Sequence, residues 1–184
     1  MDKKKIGLIL VTAALWFSLF FNYQSFHENR EKVIDEGKQV QRVVEATLMG
    51  LNMMSAGVWE DVITSDGESN RFEVLSGEFK LREGAWRSLS FSHHYGYEIV
   101  DLLSRLNKDI YELKDKIDSG QNIEELKTEI DLKVNALSEI MSYAEENLPE
   151  DKPAAWAEAF DERDSSDVRD VIREQYWGLM PFEG

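Results

Sequence analysis

The chain has 184 residues, with 36 acidic against 21 basic side chains, a formal net charge of −15, three histidines and no cysteine. So negative a surface disfavours nucleic acid and anionic lipid head groups, both of which reward Lys and Arg. The absence of cysteine excludes disulfides, thiolate metal centres and cysteine nucleophiles.

The N-terminus predicts a membrane anchor. Lys3, Lys4 and Lys5 precede an uncharged apolar run over 6–21. As a helix that run is about 24 Å long, and continuing it to Phe26 gives about 31 Å, enough for a hydrocarbon core of ~30 Å. Tyr23 and Phe26 then fall at the outer interface, where amphipathic rings are favoured. A cleaved secretory signal has the same basic start, but here the run closes with Phe20, Phe21, Asn22 and Tyr23 rather than the small residues that cleavage needs. The lysines place residues 1–5 as a cytoplasmic stub, 6–26 as a single-pass transmembrane signal-anchor in the plasma membrane, and the remainder outside. Removing the stub, whose three lysines and Asp2 carry +2, from the formal −15 leaves −17 on the outer part. Ala14 and Ser18 form a small-xxx-small pair, a weak signal for pairing of spans.

Residues 27–64 read as one long helix running straight out of the membrane. Val33, Val40, Val44, Leu48, Leu51, Met54, Val58 and Val62 fall at three-, four- or seven-residue spacing and make one apolar stripe. Ser65, Asp66 and Gly67 supply the turn that ends it. Met49, Met53 and Met54 read as packing filler rather than as an adaptable binding surface.

Over 66–95 the pattern is mixed. Phe72, Val74, Phe79 and Leu81 alternate with polar residues on either side of Ser76 and Gly77, as in a short hairpin, and a loop or one irregular helix fits equally. The next stretch is clear. Ile99, Leu103, Leu106, Ile110, Leu113 and Ile117 repeat at alternating spacings of four and three, an a/d seam for a partner helix. Ser119-Gly120-Gln121 breaks it, and Asn122 with Glu125 resembles a capping box. Ile123, Leu126, Ile130, Val134, Leu137, Met141, Ala144 and Leu148 carry the following stripe. So short a break between two amphipathic helices predicts an antiparallel hairpin, with pairing to copies of the chain as the alternative.

Pro149 and Pro153 close this region. Residues 149–184 form an acidic segment that nonetheless carries Trp156, Phe160, Tyr176, Trp177, Leu179, Met180 and Phe182. Trp156 and Phe160 lie one helical turn apart, and Ser166 is placed to cap a helix running to about Trp177. These aromatic and apolar residues either fold back onto the bundle or dock on a protein partner, since they are too large to leave in water without a purpose. Those seven residues are the candidate partner-binding set, with Tyr176 to Phe182 as the linear docking motif.

Chemistry is hard to find. Neighbouring residues on a helix point about 100° apart, so His93 and His94 cannot chelate one ion from a helical face. Asp66, Glu68 and Asn70 start a calcium-loop pattern, but Arg71 stands where that loop needs glycine and Gly77 where it needs glutamate. No nucleophile-elbow, zinc-helix, P-loop or dinucleotide-binding motif occurs, so no catalytic, cofactor-binding or metal residue is assigned.

The expected fold class is all-α: a single transmembrane helix, then an extracytoplasmic antiparallel bundle of three to four helices over 27–148, with a short hairpin or irregular segment at 66–95 and an acidic closing segment over 149–184. The expected function is a membrane-anchored interaction or scaffold protein of an envelope complex, not an enzyme. The alternative is an extracytoplasmic ligand-binding bundle, similar to the outer domain of bacterial sensor receptors, that acts through a partner. A membrane-tethered enzyme ranks third.

Overall fold

A computed structural model describes the backbone of residues 3–54, 69–93, 96–163 and 165–179, and the side chains of these except 3–13, 69–71, 92 and 93. The described residues form six helices and no paired strands: α1 (Lys3–Asn52), α2 (Ser69–His93), α3 (Tyr97–Asp118), α4 (Glu124–Asn147), α5 (Pro153–Phe160) and α6 (Asp167–Leu179).

α1 is one uninterrupted helix of 50 residues, about 75 Å long at 1.5 Å per residue. Its outer half carries the expected stripe: Val40, Val44, Leu48, Leu51 and Met54 are buried and Val33 packs at the edge of the core. Met49 and Met53 instead point outward. The helix stops at Asn52 rather than near 64. Its end tightens into i→i−3 bonds, Met53 N to Gly50 O at 3.2 Å and Met54 N to Leu51 O at 2.9 Å, while Leu51 and Met54 turn into the core. Val58, Val62 and the expected turn at 65–67 lie outside the described residues.

Of the readings open for 66–95, the described residues follow the single helix and not the hairpin. Ser69–His93 is a 25-residue helix, and Phe72, Leu75, Phe79, Trp86 and Leu89 are buried along one side of it. Their spacings of three, four, seven and three keep to a helical stripe. Val74 and Leu81, which made the local alternation, belong to the opposite, exposed face.

α3 and α4 form the expected hairpin. All of the α3 seam from Ile99 to Leu113 is buried, and so is the α4 stripe from Leu126 to Ala144. The turn between them is a Schellman closure: Gly120 adopts φ +66°, Gly120 N donates to Ile117 O at 3.0 Å and Gln121 N to Lys116 O at 2.9 Å. Ile123, not Asn122, is the N-cap of α4, and Asn122 Oδ1 just before it accepts from Glu124 N at 3.0 Å. α1, α2, α3 and α4 pack in cyclic order, each against the next and α4 against α1. Cross-links in register show α2 and α3 antiparallel, Asn107 Nδ2 donating to Glu83 Oε2 (3.0 Å) while Ser76 bonds Tyr111. The chain leaving α4 meets α1 at Gly37, where the buried stripe of α1 begins, so α1 opposes α4, and Arg82 Nε ties α2 to Ala46 O (3.0 Å). The core is therefore an up-and-down four-helix bundle.

The acidic segment is part of that bundle. Trp156, Ala157, Ala159, Phe160, Val168 and Ile172 join the same core cluster as the four long helices. α5 lies along α1, and α6 lies across α4 and the start of α3. Ser166 caps α6 as expected, accepting from Arg169 N at 3.1 Å, and it also donates to Ala159 O at 2.8 Å.

Two glycines allow close approach. A Cβ on Gly37 would sit 1.7 Å from the Pro153 carbonyl oxygen, so α1 and the start of α5 meet backbone to backbone. Gly96 opens α3 at φ +67°, and a Cβ there would lie 2.8 Å from the Trp86 ring.

Candidate interaction surfaces

The first surface is the inner half of α1. Leu15, Trp16, Phe17, Leu19, Phe20, Phe21, Tyr23 and Phe26 are each between 58% and 71% exposed. Among them Phe17 and Phe21 stack with ring centroids 6.4 Å apart and Phe20 meets Phe21 edge-on at 6.0 Å. Among the described residues no helix is long and apolar enough to cross a membrane. In the expected span 6–26, the side chains of 6–13 lie outside the described set. Where α1 meets the bundle, Phe26, Val33, Ile34, Pro153, Ala154 and Ala155 wall an open, mainly apolar groove of about 660 Å³.

The second surface is the C-terminal helix, held by a buried clasp. Arg169 on α6 is almost fully enclosed and forks onto Glu98 of α3, Nη1 to Oε2 at 3.0 Å and Nη2 to Oε1 at 2.7 Å. Such bidentate geometry is among the stronger charge-assisted arrangements. Glu98 also sits in the first turn of α3, where the helix dipole favours a negative charge. Burial alone would raise the Glu98 pKa. The Arg169 fork, a backbone hydrogen bond and the charges of Arg169 and Arg173 outweigh it and hold the carboxyl below its usual value.

A carboxylate with a depressed folded-state pKa stabilises the fold fully above its unfolded pKa of about 4.3, and that contribution drains as pH falls through the lower folded value. Thermal melting of the wild type between about pH 5 and pH 3 should therefore fall more steeply than that of Glu98→Gln. Parallel curves for the two proteins would show that the clasp adds nothing to acid sensitivity. About two turns further along α6, Tyr176 donates to Asp101 Oδ2 at 3.0 Å, and Asp101 also accepts from Arg105 at 2.8 Å. Burial first, and then that hydrogen bond, push the Tyr176 phenol up to about 12.

The seven candidate partner-binding residues thus separate. Trp156 and Phe160 are core residues: the Trp156 indole donates to Pro149 O at 3.1 Å, and the Phe160 ring lies 5.4 Å from that of Trp86. Tyr176 and Leu179 are half-buried against the cluster. Trp177 is 62% exposed, edge-on to Tyr176 at 5.1 Å. Met180 and Phe182 lie outside the described residues.

A third surface was not anticipated: the outer face of α2, where Val74, Leu81 and Phe91 are 59%, 61% and 80% exposed. Its signal was present as a repeat spanning more than two turns, but local alternation masked it. The Gly37 contact and the Arg169–Glu98 clasp join residues far apart in the chain, and no local pattern announces them.

Among the described residues no group of three or more His, Asp or Glu side chains is arranged to hold a metal ion. His94, Asp66 and Glu68 lie outside the described residues, as do the side chains of His93 and Asn70. The chain matches no protein-family model, no curated protein and no solved structure.

Proposed function

We propose that the protein is a single-pass membrane protein whose helical bundle stands outside the plasma membrane and serves interaction rather than catalysis. The observation that carries this reading is the exposed apolar rod from Leu15 to Phe26, continuous with a helix rooted in the bundle core. A contiguous apolar surface of this size on a folded protein marks a membrane or protein contact. Its eight large side chains cover about two-thirds of the helix circumference at ~100° per residue, a wider arc than one packing face, which suits lipid better than a groove on a partner. The three lysines before it orient the N-terminus inward. In this reading interaction passes through the bundle or the span, and Trp177 is an exposed aromatic anchor at the C-terminal helix.

One set of native membranes tests both halves. The chain should resist alkaline carbonate extraction, and a cysteine placed at Gln121 should react with an impermeant maleimide added to intact cells. In the same membranes Trp177→Ala with Phe182→Ala should abolish a specific cross-linked partner while leaving melting unchanged. Extraction by carbonate, or protection of position 121, overturns the anchored reading. A cross-linking pattern indifferent to the double substitution overturns the docking role of this end.

A further inference from the structure

α2 is apolar on two opposite faces. One packs against α1 and α3, and the other is open. The open face reads Val74, Gly77, Leu81, Gly84, Ser88 and Phe91, at spacings of three, four, three, four and three, which is an a/d seam for a second helix about 26 Å long. All six residues are exposed, and a Cβ added to Gly77 or Gly84 would meet nothing within 4 Å. Each glycine costs about 1 kcal/mol of helix propensity relative to alanine, so this face gives up local stability for a surface a second backbone can approach closely.

We propose that this seam pairs antiparallel with the same seam of a second copy of the chain. The argument is one of self-complementarity. In an antiparallel pair each a residue meets a d residue of the copy, so Val74 lies over Phe91, Leu81 over Gly84 and Gly77 over Ser88, every layer filling large against small or small against small except the outermost. The rim agrees. Glu73 faces Arg87 of the copy on both sides of the two-fold axis, and both residues are exposed. Lys80, which would meet its own copy near that axis, is drawn instead over the Tyr111 ring, 4.7 Å from its centroid. Parallel pairing fails on both counts: it stacks Leu81 on Leu81 and Gly84 on Gly84, and it sets Glu73 beside Glu78. A surface that satisfies itself about a two-fold axis is the mark of an isologous dimer contact. Because α1 runs antiparallel to α2, the two α1 rods leave such a dimer in opposite directions. Under the anchored reading, and only under it, the pair would join two facing membranes.

The full-length chain has no cysteine of its own, which makes pairing easy to read in detergent. Val74→Cys mixed with Phe91→Cys should form a disulfide-linked dimer, in clear excess over either variant alone. Glu73→Arg should lose the dimer, and adding Arg87→Glu to it should restore it. Leu81→Glu should give a monomer by light scattering with an unchanged melting curve, since Leu81 touches no core. Cross-links confined to 74–74 and 91–91, or a wild-type chain monomeric throughout, overturn the proposal. Reconstituted into vesicles, the wild type should cluster them and Leu81→Glu should not. Antiparallel cross-links without vesicle clustering would keep the dimer and count against the anchor.

Discussion

Trp86→Ala is expected to destabilise the bundle by about 3–5 kcal/mol, a drop of roughly 8–15 °C in melting temperature for a chain of this length. Trp86 is fully buried where three segments meet. Its indole Nε1 donates to Thr47 Oγ1 at 3.0 Å, and Thr47 in turn donates to Val43 O at 2.6 Å, tying α2 to α1. Its ring lies 5.4 Å from that of Phe160, so it also carries the contact with α5. The same ring covers Gly96, whose missing side chain lets α3 begin directly beneath it. Alanine would remove all three contacts and leave a cavity that Gly96 cannot fill. Trp86→Phe keeps a ring and loses mainly the indole hydrogen bond, so about 1–2 kcal/mol is expected. Calorimetry of the full-length chain in detergent compares the two. A loss below about 1 kcal/mol for the alanine variant would mean the site collapses freely and is not the meeting point described here.

Gly37→Ala sets two effects of opposite sign against each other. In an exposed helix interior the change stabilises by about 1 kcal/mol through propensity. Here the new methyl would lie 1.7 Å from the Pro153 carbonyl oxygen and 2.4 Å from its carbon. Those are backbone atoms at the first turn of α5, so relief requires the two segments to part rather than a side chain to rotate. Overpacking of this kind costs about 1–3 kcal/mol and at times more. A net loss of about 2 kcal/mol is expected, lowering the melting temperature by roughly 4–8 °C. Amide exchange localises the effect: protection should fall first over 153–160, because α5 is the element displaced. A gain in stability would show that α5 does not sit flush on α1.

How much of this was readable in advance depends on how local the signal is. The α3–α4 hairpin was legible because its apolar residues repeat without interruption and Gly120 ends the first helix where only a glycine is comfortable. The outer stripe of α1 was legible for the same reason as far as Met54. α2 was ambiguous between hairpin, loop and helix because Phe72 with Val74, and Phe79 with Leu81, alternate over short windows. Only across the whole helix do Phe72, Leu75, Phe79, Trp86 and Leu89 resolve into one face and Val74, Leu81 and Phe91 into another. The acidic segment carried contradictory signals, charge favouring solvent and aromatics favouring burial. Helix formation resolves them by putting Trp156, Phe160 and Ile172 inward while the carboxylates of Glu158, Asp170 and Glu174 stay wet. The clasp and the Gly37 contact depend on chain closure, which no window of sequence contains.

The unbroken course of α1 has a mechanical corollary. With no proline, loop or bulge between Leu15 and Leu51, the rod and the bundle share one azimuth. One residue inserted between Phe26 and Val33 would turn the bundle by about 100° about the rod and raise it by about 1.5 Å, whereas a seven-residue insertion would nearly restore the original bearing some 10 Å higher. The facing of every outer surface, α2 and Trp177 included, is thus set by a residue count in a stretch that touches none of them.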